Sequence, residues 1–127
     1  MSPYDPLKHG PKRIVGPGFH EQVHKLVGTV PPGSVTTYGD IGAALGSSTV
    51  ARHVGYAMAA LPEGHGVPWW RVVAAGGRLS QLPGAADEQA AHLAAEGIEV
   101  RNLRVQQFPL RRHQFGASQD SNSPGLQ

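Results

Sequence analysis

The chain has 127 residues and a formal net charge of +2, enough length for one domain with an ordinary core and too little charge to point to a polyanion partner by itself. It contains no cysteine, so disulfides, thiolate-zinc sites, iron–sulfur clusters and a cysteine nucleophile are all excluded chemically. No apolar run can span a bilayer, and the start MSPYDPLKHG lacks the regions of a signal peptide, so a cytoplasmic protein with no membrane partner is expected.

Of the 11 prolines, four fall within the first 17 residues. Residues 1–17 lack apolar periodicity and read as a flexible arm. The expected domain covers 18–102. Phe19, Val23, Leu26 and Val27 recur at helical spacing and predict an amphipathic helix ending near Gly28, followed by a turn at Pro31-Pro32-Gly33. Thr36 or Thr37 caps a second short helix carrying Ile41, Ala44 and Leu45, which Gly46 stops. A third follows at once, capped by Ser47 or Ser48, with Val50, Val54, Ala57, Met58 and Leu61 as its apolar stripe up to Pro62. Two short helices across a tight glycine turn fit a helix-turn-helix.

After Pro68, WWRVVAA has the aromatic and β-branched content of a strand, Gly76-Gly77 reads as a turn, and Arg78-Leu79-Ser80 is the candidate return strand. AADEQAAHLAAE predicts a helix over 85–96, with acids in its first turn and Gly97 as its stop. Ile98-Glu99-Val100 is a candidate final strand. Residues 103–127 have too few periodic apolar positions to offset the entropy of ordering them, so a disordered tail is expected.

Four pieces, VTTYGDIG, VARHVGYAM, PWWRVV and EGIEV, stand in a fixed order between Val35 and Val100. In that order and spacing the chain resembles the DNA-binding domain of the O6-alkylguanine-DNA alkyltransferases, and still more their alkyltransferase-like relatives. The resemblance implies a mainly α fold with a small β hairpin, a winged helix-turn-helix-like domain. In the alkyltransferases the third piece reads Pro-Cys-His-Arg-Val and its cysteine accepts the alkyl group. Here Trp69 stands at the cysteine and Trp70 at the histidine, whereas the alkyltransferase-like relatives usually keep that histidine. A thiolate made by a neighbouring base is the required nucleophile, and indole supplies no equivalent lone pair, so no catalytic residue is expected. Glu96 matches the family's glutamate and is expected to have nothing left to orient.

The resemblance further implies that Arg52 enters the duplex from the minor groove in place of a flipped base, and that Tyr38 presses on the phosphate beside it. Ala51, Gly55 and Ala59 share the Arg52 face, with small side chains that suit a close approach to a narrow groove, and a solvated surface arginine is the alternative. Tyr56 either packs on the sugar-phosphate backbone or shields its helix. Ser48 and Thr49 either meet a phosphate or serve as caps. By position Met58, Trp69, Trp70, Val72, Leu82, Pro83 and Gly84 would form a pocket for the extruded base, with Trp69 as a flat apolar wall. Two strand aromatics packed in the core are the alternative for Trp69-Trp70.

His20 and His24 stand four apart, but zinc normally takes three or four protein ligands, so two solvated histidines and no metal or cofactor are expected. Arg101, Arg104, Arg111, Arg112 and His113 make the C-terminal end basic, either for salt-dependent phosphate contacts or as a merely soluble tail. The expected function is a monomeric, non-enzymatic sensor that binds double-stranded DNA containing O6-alkylguanine, flips the base and directs the site to nucleotide excision repair proteins. The alternative is a DNA-binding regulator or nonspecific DNA-binding protein whose pocket is filled.

Overall fold

Phe19, Val23 and Val27 fall on one stripe of helix α1 (Phe19–Val27), and all three are buried. The computed structural model describes residues 15–80 and 84–116, and every structural statement below concerns these. The Thr37 hydroxyl accepts the Asp40 backbone N–H at 3.0 Å and caps helix α2 (Tyr38–Leu45). Gly46 ends it with φ at +134°. A 3-10 turn (Ser48–Val50), capped by Ser47, leads into helix α3 (Ala51–Ala59). Gly42 makes this helix-turn-helix possible: a Cβ there would lie 2.8 Å from the Ser47 carbonyl oxygen. Val54 and Ala57 of α3 join the stripe of α1, Ile41 and Val72 in a helical core.

A second core holds Val35, Val73, Leu79, Leu93, Ile98 and Val105. Strands β1 (Thr36–Thr37) and β2 (Val72–Val73) pair in parallel, Thr36 with Val72 and Thr37 with Val73. Successive side chains of a strand point to opposite faces, so Val72 enters the helical core and Val73 the other. The short ladder thereby joins the two cores at the position immediately after Trp69 to Arg71. Helix α4 (Ala85–Ala95) covers the second core with Leu93, and Gly97 follows it at φ +82°.

The structure corrects several expectations. Only Val72–Val73 of WWRVVAA is strand, because Trp69–Arg71 form a 3-10 turn whose two indoles pack sideways. The partner of β2 is β1 rather than Arg78-Leu79-Ser80, although Ala74 N–H does donate to the Arg78 carbonyl at 2.7 Å across the Gly76-Gly77 turn. The hairpin lies later, between β3 (Val100–Arg101) and β4 (Arg104–Val105), over a two-residue loop with Asn102 and Leu103 both at positive φ. The expected final strand at Ile98-Glu99-Val100 is shifted to 100–101 because the Ile98 N–H donates to the Leu93 carbonyl at 3.0 Å, closing the end of α4.

Residues 103–116, assigned above to a disordered tail, are folded. Val105 is buried, and the Phe108 ring lies so close to Gly77 that a Cβ there would be 3.1 Å away. Helix α5 (Phe108–Arg111) follows, and the chain then runs beside Val35: Val35 N–H donates to the Arg111 carbonyl and His113 N–H to that of Val35, at 2.8 and 2.7 Å. Arg112 makes a two-pronged ion pair with Asp40, both distances 2.7 Å. These partners are distant in sequence, so no local periodicity announces them. The arm at 1–14 and the end at 117–127 lie outside the described residues; Val15 packs against the helical core.

Candidate nucleic-acid interface and base pocket

Burying Val54 and Ala57 turns the opposite side of α3 outward, which exposes Arg52 and Tyr56 and leaves Ala51 and Gly55 partly exposed. Among the described residues Arg52 makes no ion pair or hydrogen bond, so its guanidinium is free for a ligand. A Cβ built on Gly55 would meet nothing within 4 Å. The chain's own packing therefore does not require glycine there. Tyr56 is 55% exposed, with the His53 ring edge-on to it at 5.6 Å. Before α3, Ser48 and Thr49 are exposed, and the Ser47 hydroxyl accepts the Thr49 N–H at 3.2 Å, so the capping role falls to Ser47.

Behind this face lies a cavity of about 240 Å³. Gly55 and Ala59 of the small-residue face border it, so helix surface and cavity are contiguous. Met58, Leu61, Val72 and Trp69 give it an apolar lining, while Tyr38, His65, Ser80 and Gln89 bring polar groups. Trp69 does not fill the space: its ring stands edge-on to Trp70 at 6.1 Å and to His92 at 5.9 Å, and the cavity remains beside it. Gln89 is 1% exposed and fully engaged, donating to the carbonyls of Trp70 and Val72 and accepting the Ser80 N–H. Burial raises the Tyr38 phenol above its ordinary value, so it stays neutral and can donate to an anion.

Of the residues placed in the pocket by position, Met58, Trp69 and Val72 border the cavity. Trp70 does not. Its indole stacks on His92 at 4.2 Å and 12°, beneath the Arg71 guanidinium, and packs against the second core. Gly84 sits exposed at the start of α4 with φ +79° and is not in the lining, and Leu82 and Pro83 lie outside the described residues. Leu61, His65, Ser80, Ala85 and Gln89 also line the cavity, and no expectation from the sequence placed them there. Gln89 alone carried a signal, as a polar residue one turn from Leu93 on the inward face of α4.

Glu96 is not idle, contrary to expectation. One carboxylate oxygen accepts the Trp70 indole N–H at 2.9 Å, and both accept from Arg71, whose remaining arm donates to the Val30 carbonyl at 2.8 Å. Burial alone would raise the Glu96 carboxyl. Hydrogen bonds from Arg71, Trp70 and the Gly33 N–H, with the Arg71 charge, outweigh it and hold the group below its ordinary value. The glutamate thus orients an indole and an arginine. His24 is also not simply solvated, since its Nε2 lies 2.7 Å from the Ala57 carbonyl and ties α1 to α3. Among the described residues no three His, Asp or Glu side chains cluster as metal ligands, and no helix is long and apolar enough to cross a membrane.

Residues 18–98 match the family model for the DNA-binding domain of 6-O-methylguanine DNA methyltransferase. The chain is 42% identical over 97 residues to the DNA base-flipping protein of Escherichia coli, covering 76% of this chain and 74% of that one. It is 36% identical over 100 residues to Alkyltransferase-like protein 1 of Schizosaccharomyces pombe, covering 76% and 92%. The crystal structure of the S. pombe protein in complex with damaged DNA containing O6-carboxymethylguanine superimposes with a TM-score of 0.70 at 30% identity, over 79% of this chain and 98% of that one. Mycobacterium tuberculosis O6-methylguanine methyltransferase superimposes with a TM-score of 0.56 at 34% identity, over 65% and 50%.

Proposed function

Because the chain belongs to the O6-alkylguanine-DNA alkyltransferase family, on its alkyltransferase-like side, we propose that it reads O6-alkylguanine in duplex DNA and does not repair it. The observation that carries this reading is the contiguity of an open cavity with the face of α3: Gly55 and Ala59 belong to both, Arg52 projects beside them and Trp69 walls the cavity. The α3 face approaches the minor groove, Arg52 takes the place of the target base, and Tyr38 presents a neutral hydroxyl to the adjacent phosphate. Extruding a base costs roughly a few kcal/mol. Stacking on an aromatic wall returns about 1–3 kcal/mol, and apolar contact with the alkyl group adds to that.

The chain has no thiol, and the tryptophan in the cysteine position cannot take over an alkyl group. Its product is therefore a persistent monomer–DNA complex in the cytoplasm, on the nucleoid, which marks the lesion for nucleotide excision repair proteins. An open cavity speaks against the alternative of a regulator with a filled pocket. The test is equilibrium binding to matched duplexes differing only in the O6 substituent of one guanine. Tighter binding of the alkylated duplexes is expected, and equal affinity for guanine and O6-methylguanine overturns the reading.

A further inference from the structure

The loop between α3 and Trp69 brings to the cavity an imidazole that the function above does not use. His65 borders the cavity, and its Nδ1 lies 2.7 Å from the backbone nitrogen of Val67. A peptide N–H can only donate, so Nδ1 is the lone-pair nitrogen and the ring proton of the neutral imidazole sits on Nε2. The Val67 backbone therefore fixes the tautomer, and with it a donor at the far edge of the ring. Gln89, by contrast, has both ends of its amide occupied by Ser80, Trp70 and Val72.

Guanine and O6-alkylguanine differ in hydrogen-bonding sense along one edge. Guanine carries a proton on N1. Alkylation of O6 removes it, so that N1 becomes an acceptor, while O6, an acceptor already, turns from a carbonyl into an ether oxygen. A fixed donor placed at N1 meets a lone pair in the alkylated base and an opposing N–H in guanine, and an opposed donor pair leaves both groups without partners. We propose that His65 is a specificity-determining residue whose Nε2–H donates to N1 of the seated base. The inference rests on the lesion-reading function and adds to it a means of rejecting undamaged guanine that apolar walls cannot supply.

The test exploits two amides that imitate different halves of the imidazole. Asparagine places its oxygen near the Nδ1 position and keeps the Val67 contact, with no atom at Nε2. Glutamine places its amide nitrogen near Nε2. Affinities of the full chain and of its His65→Asn and His65→Gln variants are measured for duplexes containing O6-methylguanine or guanine, with thermal unfolding as the check on folding. In His65→Asn the preference for the alkylated duplex should fall about five- to tenfold, the worth of one hydrogen bond, and His65→Gln should recover most of it. The inference is overturned if the wild-type chain discriminates and His65→Asn discriminates equally, or if His65→Gln is as impaired as His65→Asn. A wild-type chain that does not discriminate overturns the proposed function itself and this inference with it.

Discussion

Gly55→Ala separates the needs of the fold from those of the ligand. Gly55 lies within α3, where glycine is less favourable than alanine by roughly 0.5–1 kcal/mol, and the added methyl would meet nothing within 4 Å. The free variant should therefore gain that amount, which for a domain of this size raises Tm by about 2–8 °C. Position 55 also faces outward beside Arg52 and borders the cavity, where duplex and extruded base are to come into contact with it. A methyl forced into a close-packed interface costs roughly 1–3 kcal/mol, so affinity for an O6-methylguanine duplex should fall about 5- to 150-fold. Gly42→Ala supplies the opposite sign, since its methyl would lie 2.8 Å from the backbone oxygen of Ser47 and must lower Tm. Thermal unfolding and fluorescence anisotropy with a labelled duplex measure both quantities. Should Gly55→Ala bind as tightly as the wild type while remaining at least as stable, α3 does not approach DNA through this face.

Arg52→Ala should leave Tm within the range of ordinary surface substitutions, because Arg52 has no partner among the described residues, yet abolish most of the preference for alkylated DNA in the same anisotropy assay. Glu96→Ala should instead destabilise the chain by about 3–5 kcal/mol in a denaturant titration, because it strands the mostly buried Arg71, whose side chain is 11% exposed. The Glu96 carboxyl is depressed in the folded state, so its stabilisation is complete above the ordinary carboxyl value of 4.5 and fades as pH falls through the lower folded value. Unfolding midpoints measured from pH 6 down to pH 3 should decline, and less steeply in Glu96→Gln.

The three helices and their caps were legible because each rests on local signals: the four-residue apolar spacing of α1, the Thr37 hydroxyl before α2, and the glycine after it. The site was legible in part for a different reason, since Trp69, Arg52 and Tyr38 stand in an ordered set of motifs. What escaped depends on partners far along the chain. A two-residue parallel ladder such as Thr36–Thr37 with Val72–Val73 is too short to leave an alternation, and the segment beyond Leu103 is held by Val35, Asp40 and Gly77. His65 was invisible because what sets it apart is a contact with Val67 across a glycine and a place at a cavity that no single segment forms.

Glu96 has a structural task of its own in this chain. The resemblance implies a thiol and a histidine where Trp69 and Trp70 stand, and without them the carboxylate is expected to have nothing to orient. Yet Arg71 lies in the same motif, is mostly buried, and reaches the Val30 carbonyl beside the helical core while gripping Glu96 at the end of α4. A buried guanidinium without its anion is costly, so Glu96 would be required by Arg71 even if nothing needed orienting. The indole of Trp70 satisfies the remaining demand by donating one N–H to the same carboxylate, and its ring stacks on His92. At the position where the resemblance implies a histidine, Trp70 therefore gives Glu96 a hydrogen bond from a ring that cannot take up a proton. Trp69 consequently stands edge-on against Trp70 and His92, with Trp70 itself tied to Glu96, so under the proposed reading the flat wall has an anchored neighbour behind it.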